Sequence, residues 1–321
     1  MKAVVYYKYG SPDVLKIAEV EKPTPGDDEV LVKIQAASVN ALDWHALTAD
    51  IFLVRLMGMG LFRPKNHVLG ADIAGQVEAV GKNVVQFRPG DEVFGDIGHG
   101  GFAEYAAAPE RCLAPKPANL SFEAAAAVPV AALTALQGLR DCGKIQAGQK
   151  VLINGAAGGV GTFAVQLAKA FGAEVSAVCS TRNVEQARRL GAGQVIDYTE
   201  EDFTRSDRQY DLIFAANGYH PLAAYKRALT PRGIYVMSGG KPAQMFEALL
   251  LGSRLSEKDG RKLGGVSAKI NQNDLLALKE LLEAGKVVPA IDRRYPLAEV
   301  SAALRYLGMG HARGKIVINM G

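Results

Sequence analysis

The amino-acid sequence predicts an α/β protein in which a mostly β domain precedes a doubly wound parallel sheet. Two observations carry this prediction. From Met1 to about Leu120 the chain consists of short strand-like runs separated by proline and glycine turns, as in a compact β domain. Beyond Leu120, short apolar runs alternate with helical segments, which is the order that a parallel sheet requires.

The predicted elements follow these two patterns along the chain. An alanine-rich helix is expected to begin after Ser121, whose side chain suits an N-cap, and to run to Arg140 with a break at Pro129. Strands of the β domain are expected at residues 3–7, 30–36, 75–80, 92–94 and 103–107. Strands of the parallel sheet are expected at residues 151–153, 174–179, 194–196, 211–215 and 233–237, followed by helices at 273–284 and 297–307 and a strand at 315–319.

A glycine turn in residues 150–169 is the most informative feature. A buried strand precedes the turn and a helix follows it, so backbone N–H groups at the helix start can hold a pyrophosphate. The match to G-x-G-x-x-G is incomplete, because Ala156 occupies the first position, and a simple tight turn is the alternative. The helix is expected to direct its apolar residues to one side, with Gln166 and Lys169 elsewhere. The predicted cofactor-binding residues of the turn are Ala157, Gly158, Gly159, Val160 and Gly161.

The residues after the second strand indicate which nicotinamide cofactor binds. An NAD site usually has an acidic side chain there for the ribose 2′-hydroxyl, whereas this chain has Ser180, Thr181 and Arg182. Hydroxyl groups and a guanidinium suit a 2′-phosphate, so the sequence favours NADPH over NADH. The alternative for Arg182 is a solvated charge at a helix start.

Composition excludes several other classes of function. The chain of 321 residues is long enough for two domains, and 49% of it is hydrophobic. The formal net charge is +4, with basic residues scattered among acidic ones, so no nucleic-acid partner is predicted. Cys112, Cys142 and Cys179 form no C-x-x-C pair and suit a reducing compartment. No apolar run approaches the ~20 residues of a membrane span, and a cytoplasmic location is expected.

Seven short motifs, in order, carry a resemblance to a known family. They are Ser38-Val39-Asn40 with Asp43; Gly70-Ala71-Asp72 with Gly75 and Gly81; residues 89–95; residues 101–105; residues 126–129 with 133–135; residues 157–161; and residues 314–317. The chain resembles the zinc-independent quinone oxidoreductase branch of the medium-chain dehydrogenase/reductase superfamily over essentially its whole length. The resemblance implies a GroES-like domain from residues 1–121, completed by 266–321, with an NADP-binding Rossmann domain at 122–265 inserted in it.

The resemblance also implies chemistry without a metal. Positions that resemble the catalytic zinc ligands of related alcohol dehydrogenases are Asn40, Ala71 and Val130, and two of these side chains cannot bind a metal. The implied reaction is hydride transfer from NADPH to an electrophilic acceptor. The implied catalytic residues are Asn40, as a hydrogen-bond donor, Thr134, facing the nicotinamide, and His45, as a proton donor or a structural residue. Asp43 is expected to be a helix cap rather than a chemical group.

Further cofactor contacts are implied by the same resemblance. Ser180 and Tyr198 occupy positions that resemble 2′-phosphate contacts, and the segment with His311 and Arg313 resembles one that returns to the cofactor. Residues 216–218 depart from the family, whose members often have an acid and a glycine there.

The expected function is an NADPH-dependent, metal-independent reductase of quinones or α,β-unsaturated carbonyl compounds, acting as a homodimer. The alternative is a protein that binds NADPH as a structural or sensing ligand with little turnover. Two apolar segments leave further alternatives. Residues 51–62 suit a helix packed on the β domain or an apolar lip of the substrate cleft, and residues 245–255 suit an opposing wall or a dimer contact.

Overall fold

The computed structural model describes residues 1–50, 60, 62–218, 220–239 and 260–321. The chain forms two compact units. The first, which we call the β unit, comprises residues 1–130, 270–284 and 289–321, and the second, the parallel-sheet unit, comprises residues 131–269 and 285–288. Both predicted apolar segments, 51–62 and 245–255, lie outside the described residues, apart from Gly60 and Phe62.

The described strands and helices are numbered in chain order. The strands are β1 (Lys2–Val5), β2 (Lys16–Glu19), β3 (Glu29–Val39), β4 (Asp72–Val80), β5 (Glu92–Asp96), β6 (Tyr105–Pro109), β7 (Leu113–Pro115), β8 (Lys150–Asn154), β9 (Glu174–Cys179), β10 (Gln194–Asp197), β11 (Tyr210–Ala215), β12 (Leu229–Met237), β13 (Lys262–Gly265), β14 (Ile291–Pro296) and β15 (Lys315–Asn319). The α-helices are α1 (Ala41–Thr48), α2 (Phe122–Ala126), α3 (Pro129–Gln137), α4 (Gly159–Ala170), α5 (Val184–Arg189), α6 (Leu222–Arg227), α7 (Gln272–Glu283) and α8 (Val300–Gly308).

The β unit is built on the long strand β3. A seven-stranded sheet runs in the order β14-β15-β3-β4-β5-β7, and β6 also pairs with β3. Strand β3 is antiparallel to β4, with Ser38 opposite Asp72, and antiparallel to β15, with Val39 opposite Ile316. The register therefore brings the end of β3 close to the first residues of β4 and β15, although these strands are far apart in sequence.

The parallel-sheet unit has the architecture that the sequence predicts. Six strands run in the order β10-β9-β8-β11-β12-β13, and every adjacent pair is parallel. The carboxyl ends of the central strands therefore meet at one edge, where ligands bind in doubly wound sheets. Leu152, Ile213 and Tyr235, on the adjacent strands β8, β11 and β12, belong to one buried hydrophobic core.

Several predicted boundaries are confirmed. Strands at 174–179 and 315–319 are found as predicted, and the Ser121 hydroxyl accepts a hydrogen bond from the Ala124 backbone N–H, as an N-cap does. The expected break at Pro129 separates α2 from α3. The alanine-rich helix does not continue to Arg140 as an α-helix, because it changes to a π-helical turn at Gly138–Cys142.

The expected one-sided packing of α4 is wrong for Gln166. This side chain is buried, and its amide nitrogen donates to the Val288 carbonyl at 3.0 Å while its amide oxygen accepts from the Val288 N–H at 2.8 Å. The amide therefore substitutes for a strand partner at residues 285–288, which return to this unit from the second half of the chain. Lys169 is exposed, as expected.

Replacement of this amide tests its contribution to stability. We expect Gln166→Leu to lower the free energy of unfolding by about 2 kcal/mol, because it leaves both backbone groups of Val288 without their protein partner. Urea unfolding followed by circular dichroism measures the change. Lys169→Gln, on the exposed end of the same helix, is the control and should change stability by less than about 0.5 kcal/mol. Equal stability of the Gln166→Leu variant and the wild type would contradict this role.

Candidate functional site

The glycine turn, residues 155–158, connects β8 to α4 at the carboxyl edge of the parallel sheet. Gly155 has a φ of +81°, a conformation that favours glycine, and Gly158 is the N-cap of the helix. A Cβ atom on Gly161 would overlap the Gly155 carbonyl oxygen, so only glycine allows the helix to pack this closely on the turn. Ala156 is tolerated at the first motif position because the left-handed residue is Gly155, one position earlier.

The start of α4 is suited to bind an anion. The first backbone N–H groups of an α-helix have no intrahelical acceptor, and in α4 they belong to Gly159, Val160 and Gly161. The positive end of the helix dipole lies at the same point. Because these residues carry small or short side chains, a diphosphate can approach their backbone closely.

Neighbouring strand ends bring the predicted ribose-phosphate contacts together. Strands β9 and β10 are parallel and adjacent, and the Tyr198 N–H donates to the Cys179 carbonyl at 3.0 Å. Ser180 and Tyr198 therefore follow adjacent strands at the same edge. The Ser180 hydroxyl accepts a hydrogen bond from Asn183 at 3.1 Å, and Arg182 lies exposed in the short 3₁₀ turn Thr181–Asn183. Tyr198 is 61% exposed, which leaves its ring accessible to a ligand.

A carboxylate lies beside this turn, although none follows β9 directly in the sequence. Asp197, the last residue of β10, accepts hydrogen bonds from the backbone N–H and the hydroxyl of Thr199, at 3.0 and 2.8 Å. A hydrogen bond from Thr181 lowers the pKa of Asp197 below its ordinary value. The bond from Thr181 connects the turn after β9 with the turn after β10. Only the parallel register, with Asp197 opposite Cys179, could have indicated this proximity.

The departure from the family at residues 216–218 lies directly against the glycine turn. The Asn154 carbonyl accepts hydrogen bonds from the backbone N–H groups of Ala216 and Asn217, at 2.9 and 3.3 Å. The Asn154 side chain donates to the Tyr225 hydroxyl at 2.7 Å beneath the same edge. A Cβ atom on Gly155 would be 2.7 Å from the Asn217 nitrogen, so the two turns fit together only with glycine at 155.

A buried polar cluster occupies the β unit where β3, β4 and β15 meet. At its centre is the Asp72 carboxylate, which is 0% exposed. It accepts hydrogen bonds from the Ser38 hydroxyl at 2.7 Å, the Asn40 amide at 2.9 Å, the Val130 backbone N–H at 2.8 Å and the Lys315 ammonium at 3.1 Å. Lys315 also donates to the Asn40 amide oxygen. We call these five residues the Asp72 cluster.

The Asn40 side chain is held within the Asp72 cluster by hydrogen bonds. Both ends of this predicted catalytic amide form hydrogen bonds within the cluster, and the side chain is buried. The sequence motifs contain Asp72 and Lys315 but do not indicate their contact with Asn40. The register of β3 with its two neighbours is the only signal that brings them to Asn40.

Asp43 is a helix cap, as predicted. One carboxylate oxygen accepts from the Asn40 backbone N–H at 2.8 Å, and the other accepts from the Gly70 N–H at 2.9 Å. Burial raises the pKa of Asp43 to about 7, and the nearby Asp72 charge acts in the same direction. Burial and Asp72 likewise raise the pKa of Asp96, at the end of β5, to about 7.

The other predicted site residues lie at separate places. The His45 imidazole, on α1, pairs through Nδ1 with Asp50 at 2.8 Å and is not among the residues bonded to Asp72. Thr134 is 9% exposed on α3, one turn after Val130. His311 and Arg313 are exposed just before β15, and the Arg313 backbone N–H donates to Asp292 at 2.8 Å.

Comparison with known proteins identifies the family. Residues 26–118 match the alcohol dehydrogenase GroES-like domain, and residues 190–318 match the family described as zinc-binding dehydrogenase. The chain is 37% identical to a 2-methylene-furan-3-one reductase of Solanum lycopersicum, over 99% of this chain and 79% of that protein. The chain belongs to the quinone oxidoreductase-like branch of the medium-chain dehydrogenase/reductase superfamily.

Other members of this branch resemble the chain over similar lengths. An NADPH-dependent alkenal/one oxidoreductase of Arabidopsis thaliana is 34% identical, over 99% of this chain and 79% of that one. The structure of a quinone oxidoreductase from Coxiella burnetii superposes with a TM-score of 0.87 at 32% identity, over 100% of this chain and 99% of that one. The predicted fold class, a GroES-like domain with a Rossmann-like nucleotide-binding domain, is therefore confirmed.

The name of one matched family implies a bound zinc ion. The residues of this chain at the positions that resemble zinc ligands do not suit zinc. The three positions that resemble zinc ligands present an amide, a methyl group and an isopropyl group, whereas catalytic zinc requires imidazole, thiolate or carboxylate ligands. Within the described ranges, no three histidine, cysteine, aspartate or glutamate side chains are grouped as a metal site. Among those same residues, no helix is long and apolar enough to cross a membrane.

Substitution of the glycine that packs α4 on its turn tests the cofactor site. We expect Gly161→Val to abolish NADPH binding, measured by the change in nucleotide fluorescence, because the side chain would overlap the Gly155 carbonyl. Gly193→Ala, in the same unit but outside the glycine turn, is the control. A Cβ atom there meets only the Val175 carbonyl oxygen, at 3.8 Å, so binding should change little. Retention of binding by Gly161→Val would contradict the assignment of the phosphate site.

The raised pKa of Asp43 predicts a pH dependence of stability. Between the unfolded value near 4 and the folded value of about 7, the folded state holds more protons than the unfolded state. The free energy of unfolding should therefore fall as the pH rises through this window. We expect Asp43→Asn to flatten this slope in urea unfolding between about pH 5 and about pH 8, whatever its effect on absolute stability.

A surface aspartate provides the control for this titration. Arg140 lowers the pKa of Asp141, so this group titrates below the window, and Asp141→Asn should leave the slope as in the wild type. Parallel curves for Asp43→Asn and the wild type would show that Asp43 does not titrate in this range.

Proposed function

We propose that this chain is an NADPH-dependent, metal-independent oxidoreductase that transfers hydride to quinones or α,β-unsaturated carbonyl compounds. The observation that supports it most is the glycine turn at the start of α4, next to Ser180, Arg182 and Tyr198 at the ends of β9 and β10. The turn and helix start suit a diphosphate, and the hydroxyl and guanidinium groups suit a 2′-phosphate. NADPH, when bound, supplies the hydride.

The names of relatives support the class of acceptor. The relatives include reductases of a methylene-furanone and of alkenals and alkenones, and a chloroplastic quinone oxidoreductase of Triphysaria versicolor that is 34% identical over 99% of this chain. These acceptors share an electrophilic carbon conjugated to a carbonyl group. Such compounds accept hydride without a metal to ionise an alcohol.

The residues that would act on the acceptor are assigned as part of this proposal. We assign Asn40 to donate its second amide N–H to the acceptor oxygen, where negative charge develops after hydride arrives, because this N–H has only a long 3.5 Å contact with the Ser38 carbonyl. Thr134 is proposed, separately, to face the nicotinamide. His45 is the proposed proton donor, and its Nδ1 atom lies 2.8 Å from the Asp50 carboxylate, which orients the ring. His311 and Arg313 are proposed to contact the cofactor. The homodimer and the cytoplasmic location stay predictions, and some relatives carry chloroplastic or mitochondrial names.

Arg182 provides a test of cofactor preference. We expect Arg182→Ala to weaken NADPH binding by about 1–3 kcal/mol and NADH binding much less, because only NADPH has the 2′-phosphate. Titration of nucleotide fluorescence measures both dissociation constants. Arg189→Ala, at the exposed end of α5, is the control and should affect neither. Equal losses for the two nucleotides in Arg182→Ala would place the 2′-phosphate elsewhere.

The direct test of the function is turnover by the purified protein. Oxidation of NADPH and of NADH would be followed by absorbance with benzoquinone, phenanthrenequinone and a medium-chain alkenal as acceptors. Faster turnover with NADPH is expected, and the order of the acceptors distinguishes quinone from enone chemistry. Tight NADPH binding without reduction of any acceptor would overturn the proposal and favour a sensing or structural role.

A further inference from the structure

The Asp72 cluster holds a positive charge beside Asn40, one of the positions that resemble the zinc ligands of alcohol dehydrogenases. Asn40 and the Val130 backbone both donate to the Asp72 carboxylate, and Ala71 is its neighbour in sequence. Two of the three ligand-like positions therefore contact this carboxylate, Asn40 through its side chain and Val130 through its backbone. The Lys315 ammonium binds this carboxylate and also the Asn40 amide oxygen.

We propose that the Asp72–Lys315 pair positions the Asn40 amide, and that the Lys315 ammonium bonded to Asn40 is the fixed cation of this site in place of a metal. The part of this inference that concerns turnover rests on the proposed function. Asp72 and Lys315 are positioning residues in this account, because they act through Asn40 and not on the acceptor itself.

Burial shows why the charge must be paired. The Lys315 side chain is 3% exposed and the Asp72 side chain 0%. An isolated charge at this depth would be strongly destabilising, whereas an ion pair with further hydrogen bonds can be held. Four donors bind the Asp72 carboxylate, three at one oxygen and one at the other, so a metal would have to compete with them for this group. A divalent cation next to the ammonium would also be repelled.

The pair also fixes the orientation of Asn40. Its amide oxygen faces the ammonium and its amide nitrogen faces the carboxylate, so a rotation of the amide by half a turn would oppose like groups at both ends. An ammonium donates hydrogen bonds and retains its charge, but it does not act as a Lewis acid on an alcohol as zinc does. The exchange of metal for lysine therefore favours acceptors that are already electrophilic.

The test compares two single variants with a variant in which both charges are removed. Lys315→Met and Asp72→Asn each leave one buried charge unpaired, and we expect each to lower Tm by about 10 °C. The double variant Asp72→Asn/Lys315→Met removes both charges and should recover most of that loss. With the fold recovered, its kcat should still be reduced by about 10- to 100-fold because Asn40 is no longer held, while Kd for NADPH is unchanged.

Another buried lysine in the same unit provides the matched control. Lys116 pairs with Glu92 at 3.2 Å and donates to the carbonyls of Pro117 and Leu120, away from the Asp72 cluster. Lys116→Met should lower Tm but leave kcat and the acceptor KM of the folded protein as in the wild type. A comparable fall in kcat in this control would show that general destabilisation causes the effect.

Two results would overturn the inference. Recovery of both Tm and kcat in the double variant would show that the pair is only structural. Zinc that copurifies with the wild type in stoichiometric amount, with activity lost on chelation, would show that the metal has not been replaced. Absence of turnover in the wild type would refute the proposed function instead. In that case, a Tm of the double variant well above those of the single variants would still establish the coupled pair.

Discussion

The fold of the β unit depends on a buried carboxylate being neutralised. Asp72 lies at the start of β4, and its partners belong to β3, β15 and the start of α3. A carboxylate that is excluded from solvent needs hydrogen-bond donors, and the donors to Asp72 come from distant parts of the chain. The Asp72 cluster therefore forms only when β3, β4 and β15 pack together. The same requirement explains why the first and last segments of the chain form one unit, although the parallel-sheet unit separates them in sequence.

The parallel-sheet unit depends on close backbone packing and not on charge. Glycine at 155 and 161 allows β8, its turn and α4 to approach more closely than any side chain would permit. Residues 216–218 then pack on the same turn through backbone hydrogen bonds to Asn154. The glycine turn is thus a by-product of the way in which strand, turn and helix fit together, which explains why a local motif is enough to find it.

The sequence predicts those features that depend on neighbouring residues. The run that forms β9, the Ser121 cap and the Asp43 cap were all found because each depends on residues within a few positions. The ion pair of Asp72 with Lys315 joins residues 243 positions apart, and it depends on sheet register that no single segment encodes. Gln166 was misjudged for the same reason, since its partner at Val288 is 122 residues away.

The contact between the turns after β9 and β10 has a consequence for the evolution of this branch. Thr181 and Asp197 are hydrogen-bonded across adjacent strands, although the two turns are separate in sequence and neither contains the glycine turn. If the two turns contact the cofactor ribose, as we propose, exchanges in either turn would alter the discrimination between phosphorylated and unphosphorylated ribose. The glycine turn before α4 could then stay constant while lineages diverge in their redox partner, drawing electrons from the biosynthetic or the catabolic nucleotide pool.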